Sequence, residues 1–296
     1  ESLKAYAAKL QAVKDAGIAV LTIPGNHDIN YGMAAKFTGD SYERVADITP
    51  RDFYETLCDF GFSNALSKDE ASLSYVYPLS DSLRALMIDV NTDSGTGVLN
   101  DETLVWAERQ LIKARLEGIS VIAFSHQTLM QHNSLFTHGF CMTQSDKLLE
   151  LYKRYSVICN FCGHMHLQHF KDDGDFTELT LSPVITSPCQ YGILDIDGSG
   201  LAFTTETVEF EHAKEAKDFF IRTAMSDASG QFPDDPELAE YIKQIHWAYM
   251  SGRMGDFDRD EEIYKKLQSE GGIIGSYLAS ISEDSFKNFT EYRIEF

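Results

Sequence analysis

Three short polar segments combine residue types that bind metal ions, and each directly follows a strand-like apolar run. They are PGNHD at 24–28 after IAVLTI, Ser125-His126 after VIAF, and GHMH at 163–166 after VICNF. Open α/β sheets place their sites just beyond the carboxyl ends of strands, so these segments are expected at one sheet edge. Imidazole, amide and carboxylate ligands suit Mn, Fe or Zn. The pattern therefore predicts a metal site.

The GHMH segment carries two imidazoles in close sequence. His164 and His166 alternate around Met165, so in an extended chain both rings share one side while Met165 packs inward. Gly163 allows the backbone to turn without a Cβ penalty. The segment predicts two imidazole ligands that point the same way.

The GNHD segment offers both a ligand and an acid. The amide oxygen of Asn26 can coordinate a metal ion. His27, beside it, can then donate a proton, and a hydrogen bond from its ring N–H to the Asp28 carboxylate would fix the tautomer. The predicted catalytic pair is His27 and Asp28.

These three motifs, in this order, resemble the calcineurin-like metallophosphoesterase family over about residues 25–200. The matching residues are Gly25-Asn26-His27-Asp28, then the lone His126, then Gly163-His164-x-His166. The resemblance implies an α/β fold, a four-layer α/β/β/α sandwich, that hydrolyses phosphate esters through a dinuclear metal centre and a bridging hydroxide. A small phosphorylated monoester or diester is the implied substrate, and two divalent or trivalent ions (Mn, Fe or Zn) are the implied cofactors.

The resemblance also assigns roles to particular residues. Asn26, His126 and His164 would bind one metal ion, and His166 would bind the other. His27, oriented by Asp28, would stabilise or protonate the leaving oxygen. The family further uses an Asp-x-His motif and a Gly-Asp motif that would lie upstream of residue 1, and the sequence contains no substitute for them. We therefore expect a longer protein whose first strand and N-terminal segment complete the site, and we expect residues 1–296 alone to be hydrolytically inactive.

Helix and strand patterns alternate along the chain, which predicts an α/β fold with helices on the outer faces. A helix over 2–16 ends at Gly17 and leads into a strand at 18–23. Another helix runs from Asn100 or Asp101 to Leu116 and ends at Gly118. The remaining predicted elements are strands at 73–77, 83–90, 119–124, 156–161, 176–181, 191–196 and 201–209, and a helix at 145–155.

Two domains follow from this pattern: a core over 1–210 and a helical C-terminal extension over 211–296, with helices near 213–224, 236–251 and 259–269. Within the core, residues 29–80 form an insertion loop, aperiodic up to about residue 73. Long irregular insertions are commonly lids or binding loops. We expect this loop to cover the metal site and select the substrate through its aromatic and arginine side chains, Tyr31, Phe37, Tyr42 and Arg44.

Composition limits the classes of partner. The chain has 25 Lys+Arg against 46 Asp+Glu, a net charge of −21, which disfavours nucleic-acid backbones and anionic membrane surfaces. No apolar stretch is long enough for a membrane span. An anionic substrate would need local positive charge, and metal ions are the obvious source. Cys159 and Cys162, inside an apolar run, are expected to be buried thiols and not a disulfide or metal pair.

Several alternatives remain open at this level. The chain could be a non-catalytic binding module on the same fold, or a nuclease of the same superfamily. Among the other histidines, His132 could reach the pocket and contact phosphate, His169 is expected to be solvated, and no role is assigned to His138, His212 or His246. The acidic run at 256–260 resembles a calcium loop but lacks its glycine and final glutamate, which predicts a solvated face. The long insertion and helical extension are similar to those of exported bacterial proteins, so an exported or cell-envelope location is expected, with the signal upstream of Glu1.

Overall fold

The computed structural model describes residues 2–93, 95–136, 139–223, 232, 234–269, 272–282 and 286–296. The chain divides into two compact units that interleave along the sequence. The first unit contains Glu1–Met130, Gly139–His164 and Asp172–Glu178, and the second contains Gln131–His138, Met165–Lys171 and Leu179–Phe296. The division into a core of 1–210 and an extension of 211–296 remains a prediction.

Six of the eight helices among the described residues lie close to predicted positions, whereas those at Pro50–Leu57 and Gly272–Ser282 were not predicted. In chain order the helices are α1 Ser2–Asp15, α2 Pro50–Leu57, α3 Asp101–Glu117, α4 Ser145–Arg154, α5 Ala213–Thr223, α6 Pro236–Met250, α7 Glu261–Ser269 and α8 Gly272–Ser282. The predicted helix at 213–224 extends one position beyond the described residues. Two short 3₁₀ turns are present at Phe62–Asn64 and Met254–Asp256.

The strands are short, and most belong to one sheet or to local hairpins. They are β1 Ala35–Thr38, β2 Ser41–Arg44, β3 Ser67–Lys68, β4 Tyr75–Pro78, β5 Leu83–Ile88, β6 Asn91–Thr92, β7 Gly95–Thr96, β8 Ser120–Ser125, β9 Cys159–Cys162, β10 His169–Asp172, β11 Thr177–Thr180, β12 Gln190–Asp197, β13 Gly200–Thr207 and β14 Glu291–Glu295. The boundary between the two units falls inside β10 and inside β11.

Five strands form the sheet of the first unit, in the order β9-β8-β5-β4-β3. The three strands β5, β8 and β9 run parallel, whereas β3, β4 and β5 pair antiparallel. The parallel strands read as nearly continuous apolar runs because both faces of such a sheet are covered. Their carboxyl ends lie at one edge, which is where Ser125-His126 and Gly163-His164 follow.

Helices cover both faces of this sheet. Side chains along β5 alternate: Leu86 and Ile88 belong to one apolar cluster, with residues of α3 and α4, while Ala85 and Met87 belong to another. The second cluster contains Phe53 and Leu57 of α2, and side chains of α1 at helical spacing, Leu3, Ala7 and Leu10, pack against it. The first unit is therefore mixed α/β, with a central sheet of parallel and antiparallel strands between helices, as the sequence predicts.

Local signals explain where the helices begin and end. Asn100 precedes α3, and Gly118 ends it with a φ of 70°, a left-handed conformation that glycine adopts without strain. At α2, Thr49 and Asp52 form a reciprocal capping box, and Pro50 occupies the first turn. Between residues 29 and 73 the chain therefore contains regular elements, α2, β3 and the β1–β2 hairpin, and the prediction of an aperiodic segment there is wrong. Strand β4 agrees with the strand predicted at 73–77.

The predicted strand at 18–23 is also wrong. The segment is extended and enters the core through Thr22, but it belongs to no strand ladder among the described residues. Thr22 N donates a hydrogen bond to the Phe60 carbonyl at 3.1 Å. The Thr22 carbonyl accepts one from the Tyr75 hydroxyl at 2.9 Å. An apolar run predicts burial, whereas a strand also needs a partner along its length.

The second unit contains an antiparallel sheet of order β12-β13-β14 and helices α5 to α8. The β12–β13 hairpin turns at 197–200, as predicted, and Asp197 accepts a hydrogen bond from the Ser199 backbone N at 2.7 Å. Helix α8 and strand β14 were not predicted. Among the described helices, none has both the length and the apolar character needed to cross a bilayer.

Candidate metal centre

The GNHD segment forms a tight turn ahead of the β1–β2 hairpin. The Asp28 backbone N donates to the Gly25 carbonyl at 3.0 Å, and the Gly25 N donates back to Asp28 Oδ2 at 2.7 Å. This reciprocal pair closes the turn and leaves the side chain of Asn26, at its tip, partly buried. The turn therefore fixes where the Asn26 amide points.

Three of the predicted ligands converge on one point in the first unit. Asn26 Oδ1 lies 2.9 Å from Nε2 of His126 and 3.2 Å from Nδ1 of His164. The two imidazole rings meet edge to face, with centroids 5.2 Å apart. Residues separated by 100 and 138 positions in the sequence thus bring an amide oxygen and two ring nitrogens together.

His126 follows the end of β8 and is held against the GNHD turn. Its carbonyl accepts a hydrogen bond from the Gly163 N at 3.0 Å, which ties it to the segment that carries His164. A Cβ at Gly25 would lie 2.8 Å from Cε1 of the His126 ring and 2.9 Å from its Nε2. Only glycine leaves room for the ring at this distance.

His164 is oriented by a second hydrogen bond. Its Nε2 lies 3.0 Å from the Gly139 carbonyl, while Nδ1 faces Asn26, and the Phe140 ring packs with its centroid 5.6 Å from that of His164. Metal-binding histidines characteristically donate their other ring N–H to a carbonyl or carboxylate, which fixes the tautomer. With Nε2 donating to the carbonyl, the lone pair of Nδ1 is directed toward Asn26.

The GHMH segment is not extended, contrary to the sequence-based prediction. His164 and His166 have φ values of 62° and 53°, in the left-handed region that non-glycine residues seldom adopt. Met165 is buried, as predicted. The turn is thus made by the histidines themselves and not by Gly163. Left-handed residues of this kind occur preferentially at functional sites, where the surrounding structure holds them.

The donor set fits a divalent ion of the Mn, Fe or Zn type. Two ligands about 2.1 Å from a common ion, at octahedral or tetrahedral angles, are about 3.0–3.4 Å apart. The two separations from Asn26 Oδ1, 2.9 Å and 3.2 Å, lie close to that range. One amide oxygen and two imidazoles leave further coordination positions for other ligands or water.

A buried amide pair, Asn91 and Gln127, adjoins this cluster, and no sequence motif marks it. Asn91 Nδ2 donates to Gln127 Oε1 at 3.1 Å, and Gln127 Nε2 donates to Asn91 Oδ1 at 2.8 Å. Asn91 Nδ2 also reaches the Pro24 carbonyl at 3.2 Å. Since Gln127 follows His126 directly, the pair joins the two segments that supply ligands and sets their relative position.

Two buried carboxylates support the same region. Asp89 accepts hydrogen bonds from the backbone N of Asn91 and of Leu73, yet burial raises the pKa of its carboxyl to about 7. Glu178 accepts from the backbone N of Leu129 and Met130, which follow the His126 segment. Sequence reasoning missed both Asp89 and Glu178. The signal that could have found them is a carboxylate within an otherwise apolar strand-like run.

His27 and Asp28 are exposed, and they do not form the predicted hydrogen bond to each other among the described residues. Asp28 instead accepts from the Gly25 N, and the His27 ring packs on Tyr31, with centroids 4.3 Å apart. Both residues line a cleft of about 560 Å³, whose other wall includes the β1–β2 hairpin. The catalytic roles assigned to His27 and Asp28 remain predictions.

The remaining histidines belong to the second unit. His166, the predicted ligand of the other metal ion, is exposed. His132 and His169 are buried, with their Nδ1 atoms 2.9 Å apart, so the prediction that His169 is solvated is wrong. His138 lies outside the described residues. His246 is half-buried, and its Nδ1 lies 2.6 Å from the Tyr277 hydroxyl.

Comparison with solved structures finds a similar fold. A dimetal phosphatase from Danio rerio matches with a TM-score of 0.51 and 15% sequence identity, over 68% of this chain and 74% of that chain. The chain has a metallophosphoesterase-like fold. A second match, GAP50 of Plasmodium, described as the anchor in the inner membrane complex, covers 69% of this chain and 79% of that chain at 14% identity, with a TM-score of 0.38. No protein-family model matches the sequence, and no curated protein does either.

Within the metallophosphoesterase-like fold, the three converging residues lie where the parallel strands end. This position agrees with the general placement of sites in open α/β sheets. Cys159 and Cys162, also at the end of this sheet in β9, are buried thiols that form no disulfide, as predicted. Burial raises the pKa of the Cys159 thiol well above its usual range, which makes it a poor thiolate ligand.

Proposed function

We propose that the protein is a metal-dependent hydrolase of phosphate esters, whose first metal ion is bound by Asn26, His126 and His164. The single observation that supports this most strongly is the meeting of the Asn26 amide oxygen with two ring nitrogens at 2.9 Å and 3.2 Å. The metallophosphoesterase-like fold is consistent with it. Two ions, with His166 as a ligand of the second, complete the proposed centre.

When bound, the metal ions supply Lewis acidity toward a phosphate oxygen and lower the pKa of an attacking water. The protein's own groups prepare this chemistry. The Gly139 carbonyl holds the tautomer of His164, so that Nδ1 presents a lone pair. The amide pair of Asn91 and Gln127 keeps Asn26 and His126 within reach of the same ion.

The proposed acid is His27. Its exposed ring lines the cleft next to the GNHD turn, which places an imidazole one residue from the ligand Asn26. A protonated imidazole can deliver a proton to a departing alkoxide. Asp28 acts indirectly in this proposal, because its carboxylate closes the turn through the Gly25 N and so positions His27.

Charge explains why a metal centre suits this protein. The net charge of −21 would repel an anionic substrate at long range. At physiological ionic strength that repulsion is screened beyond about 8 Å, whereas ions in direct contact with the phosphate act over much shorter distances. Local metal charge therefore outweighs the acidic surface at the reaction centre.

The test uses the protein as encoded, including any residues that precede Glu1. Metal is removed with a chelator, and Mn²⁺, Fe²⁺ or Zn²⁺ is added back while hydrolysis of p-nitrophenyl phosphate and bis(p-nitrophenyl) phosphate is followed. We expect turnover to return with at least one of the ions and to be lost in His126→Ala. Variant His212→Ala, an exposed histidine of the second unit, serves as the control. Hydrolysis that is independent of metal or unaffected by His126→Ala would contradict the proposal.

A further inference from the structure

The cleft beside the GNHD turn has an unusual lining for a surface region. Its walls include His27 and Tyr31 on one side and the hairpin residues Phe37, Tyr42 and Arg44 on the other. Its volume of about 560 Å³ falls within the usual range for small-molecule sites, about 300–1,000 Å³. The cleft lies wholly within the first unit.

Aromatic rings in this cleft are exposed to solvent. Phe37 is 73% exposed and Tyr42 is 60% exposed. The two residues are cross-strand partners in the β1–β2 hairpin, and their ring centroids are 5.8 Å apart. Together they offer a two-ring apolar surface that no residue of the described chain covers fully. Grouped exposure of this kind marks a surface that binds a partner or ligand.

Arg44 is held beside these rings. Its Nη1 donates to the Met33 carbonyl, and its guanidinium carbon lies 5.5 Å from the centroid of the Tyr42 ring. A guanidinium fixed in this way extends the flat surface of the hairpin, because its plane also stacks on aromatic faces.

The charges of the lining indicate which part of a substrate enters. Asp28 and Asp47 line the cleft together with Arg44, so two carboxylates face one guanidinium. A phosphate inside the cleft would meet excess negative charge, whereas an uncharged ring would not. The occupant is therefore an apolar, flat group, and the phosphate is expected outside the cleft, toward Asn26.

We propose that this cleft binds the leaving group of the substrate, and that this group carries an uncharged aromatic ring that stacks on Phe37 and Tyr42. The inference rests on the proposed function, which supplies the phosphate ester. His27 lines the same cleft, so the acid that protonates the departing oxygen lies on the side where that oxygen leaves. The substrate class is thus a phosphate ester of an alcohol that carries a flat ring.

The test compares two phosphate esters whose alcohols differ by one aromatic base. Adenosine 5′-phosphate and ribose 5-phosphate, each as the monoester and as the methyl diester, share the same type of primary alkoxide. With the metal-loaded protein as encoded, we expect kcat/KM to favour the adenosine ester by about tenfold or more, since base–aromatic stacking is of that size. In Phe37→Ala/Tyr42→Ala the ratio should fall to within about twofold of one.

The matched control removes one Phe and one Tyr elsewhere. Phe210 and Tyr191, in the second unit, are 41% and 46% exposed, and Phe210→Ala/Tyr191→Ala should keep the wild-type ratio. A wild-type ratio near one, or a ratio that survives Phe37→Ala/Tyr42→Ala, would overturn the inference.

A binding measurement separates failure of this inference from failure of the proposed function. Adenosine and ribose, which contain no phosphate, are titrated into each variant and followed by saturation-transfer NMR. We expect adenosine to bind to wild type and to the control, and to be lost from Phe37→Ala/Tyr42→Ala, while ribose binds to none. If no ester is hydrolysed, the proposed function fails and the leaving-group assignment fails with it. In that case, adenosine binding alone tests whether the cleft binds an aromatic ring. If wild type does not bind adenosine, the ring-binding assignment is overturned as well.

Discussion

Replacing Gly25 by alanine should displace the His126 ring and weaken metal binding. A Cβ at this position would lie 2.8 Å from Cε1, 2.9 Å from Nε2 and 3.0 Å from Nδ1 of that ring. Ordinary contacts between such atoms are about 3.5–4.0 Å, so the ring must retreat by roughly 0.5–1 Å. Without metal, the His126 ring can shift away from the added methyl group. Metal coordination requires the ring at its present position.

The size of the effect follows from the cost of overpacking. Inserting one methyl group into a filled site costs about 1–3 kcal/mol. If the metal-bound state carries this strain and the free state relieves it, the dissociation constant rises by about 5- to 150-fold, because each 1.4 kcal/mol is a factor of ten. The free protein should lose little stability, and its melting temperature should change only slightly.

Isothermal titration with Zn²⁺ and Mn²⁺ measures this effect, and two glycines provide matched controls. A Cβ at Gly163 would lie 3.7 Å from Nδ1 of the same ring, an ordinary contact, and a Cβ at Gly32 meets nothing within 4 Å. Gly163→Ala and Gly32→Ala should therefore bind metal within about threefold of wild type. Wild-type affinity in Gly25→Ala, or an equal loss in Gly163→Ala, would refute the reasoning that the ring needs this space.

Three further predictions concern neighbouring residues. His27→Gln should lower turnover by about 10²–10⁴-fold, the scale of general acid catalysis, while metal content measured by atomic emission stays unchanged; loss of metal would show that His27 is a ligand. Asn91→Leu should destabilise the protein by about 1–3 kcal/mol in urea unfolding because it leaves the Gln127 amide buried without its partner, and Asn91→Leu/Gln127→Leu should recover part of that loss. Equal or greater destabilisation in the double variant would contradict the pairing. The folded pKa of Asp89, about 7, lies above its unfolded value, so the unfolded carboxyl releases its proton first. Stability relative to Asp89→Asn should therefore fall as pH rises from about 4 to about 7 and then level off. Thermal unfolding of both proteins across this range measures it, and a constant difference would show that Asp89 does not titrate.

The sheet of the first unit was predictable because its strands are apolar runs bounded by polar and glycine residues. Strand β8 and helix α3, with Asn100 and Gly118 at its ends, agree with their predicted positions. The segment 18–23 has the same composition but pairs with no strand in the described part of the chain, and composition does not report pairing. The β1–β2 hairpin escaped prediction because its second strand is entirely exposed and so has no apolar alternation.

The C-terminal elements α8 and β14 were missed because the local sequence does not mark them. Helix α8, GIIGSYLASIS, is apolar around most of its surface and contains two glycines, so neither helical periodicity nor helix propensity marks it. Strand β14 has alternating burial, but it pairs with β13, about 90 residues earlier in the chain. Such long-range pairing follows from tertiary structure and cannot be read from a local window.

For the candidate site, the resemblance of the three motifs to the metallophosphoesterase family led to the prediction that Asn26, His126 and His164 lie together, and the structure brings them together. The supporting residues were not predictable. Asn91 and Gln127 are ordinary polar residues in sequence, and only the fold places their amides in reciprocal contact. The left-handed backbone of His164 is likewise imposed by its surroundings, since histidine has no strong preference for that conformation.

The most direct test of the metal centre is X-ray absorption spectroscopy at the zinc edge, on protein loaded with one equivalent of Zn²⁺. The account predicts a first shell of N and O atoms at about 2.0–2.1 Å with multiple scattering from two imidazoles. His126→Ala and His164→Ala should each reduce the imidazole count to one, and His212→Ala should leave it at two. A spectrum without imidazole scattering, or one that neither His126→Ala nor His164→Ala changes, would contradict the assignment of the site.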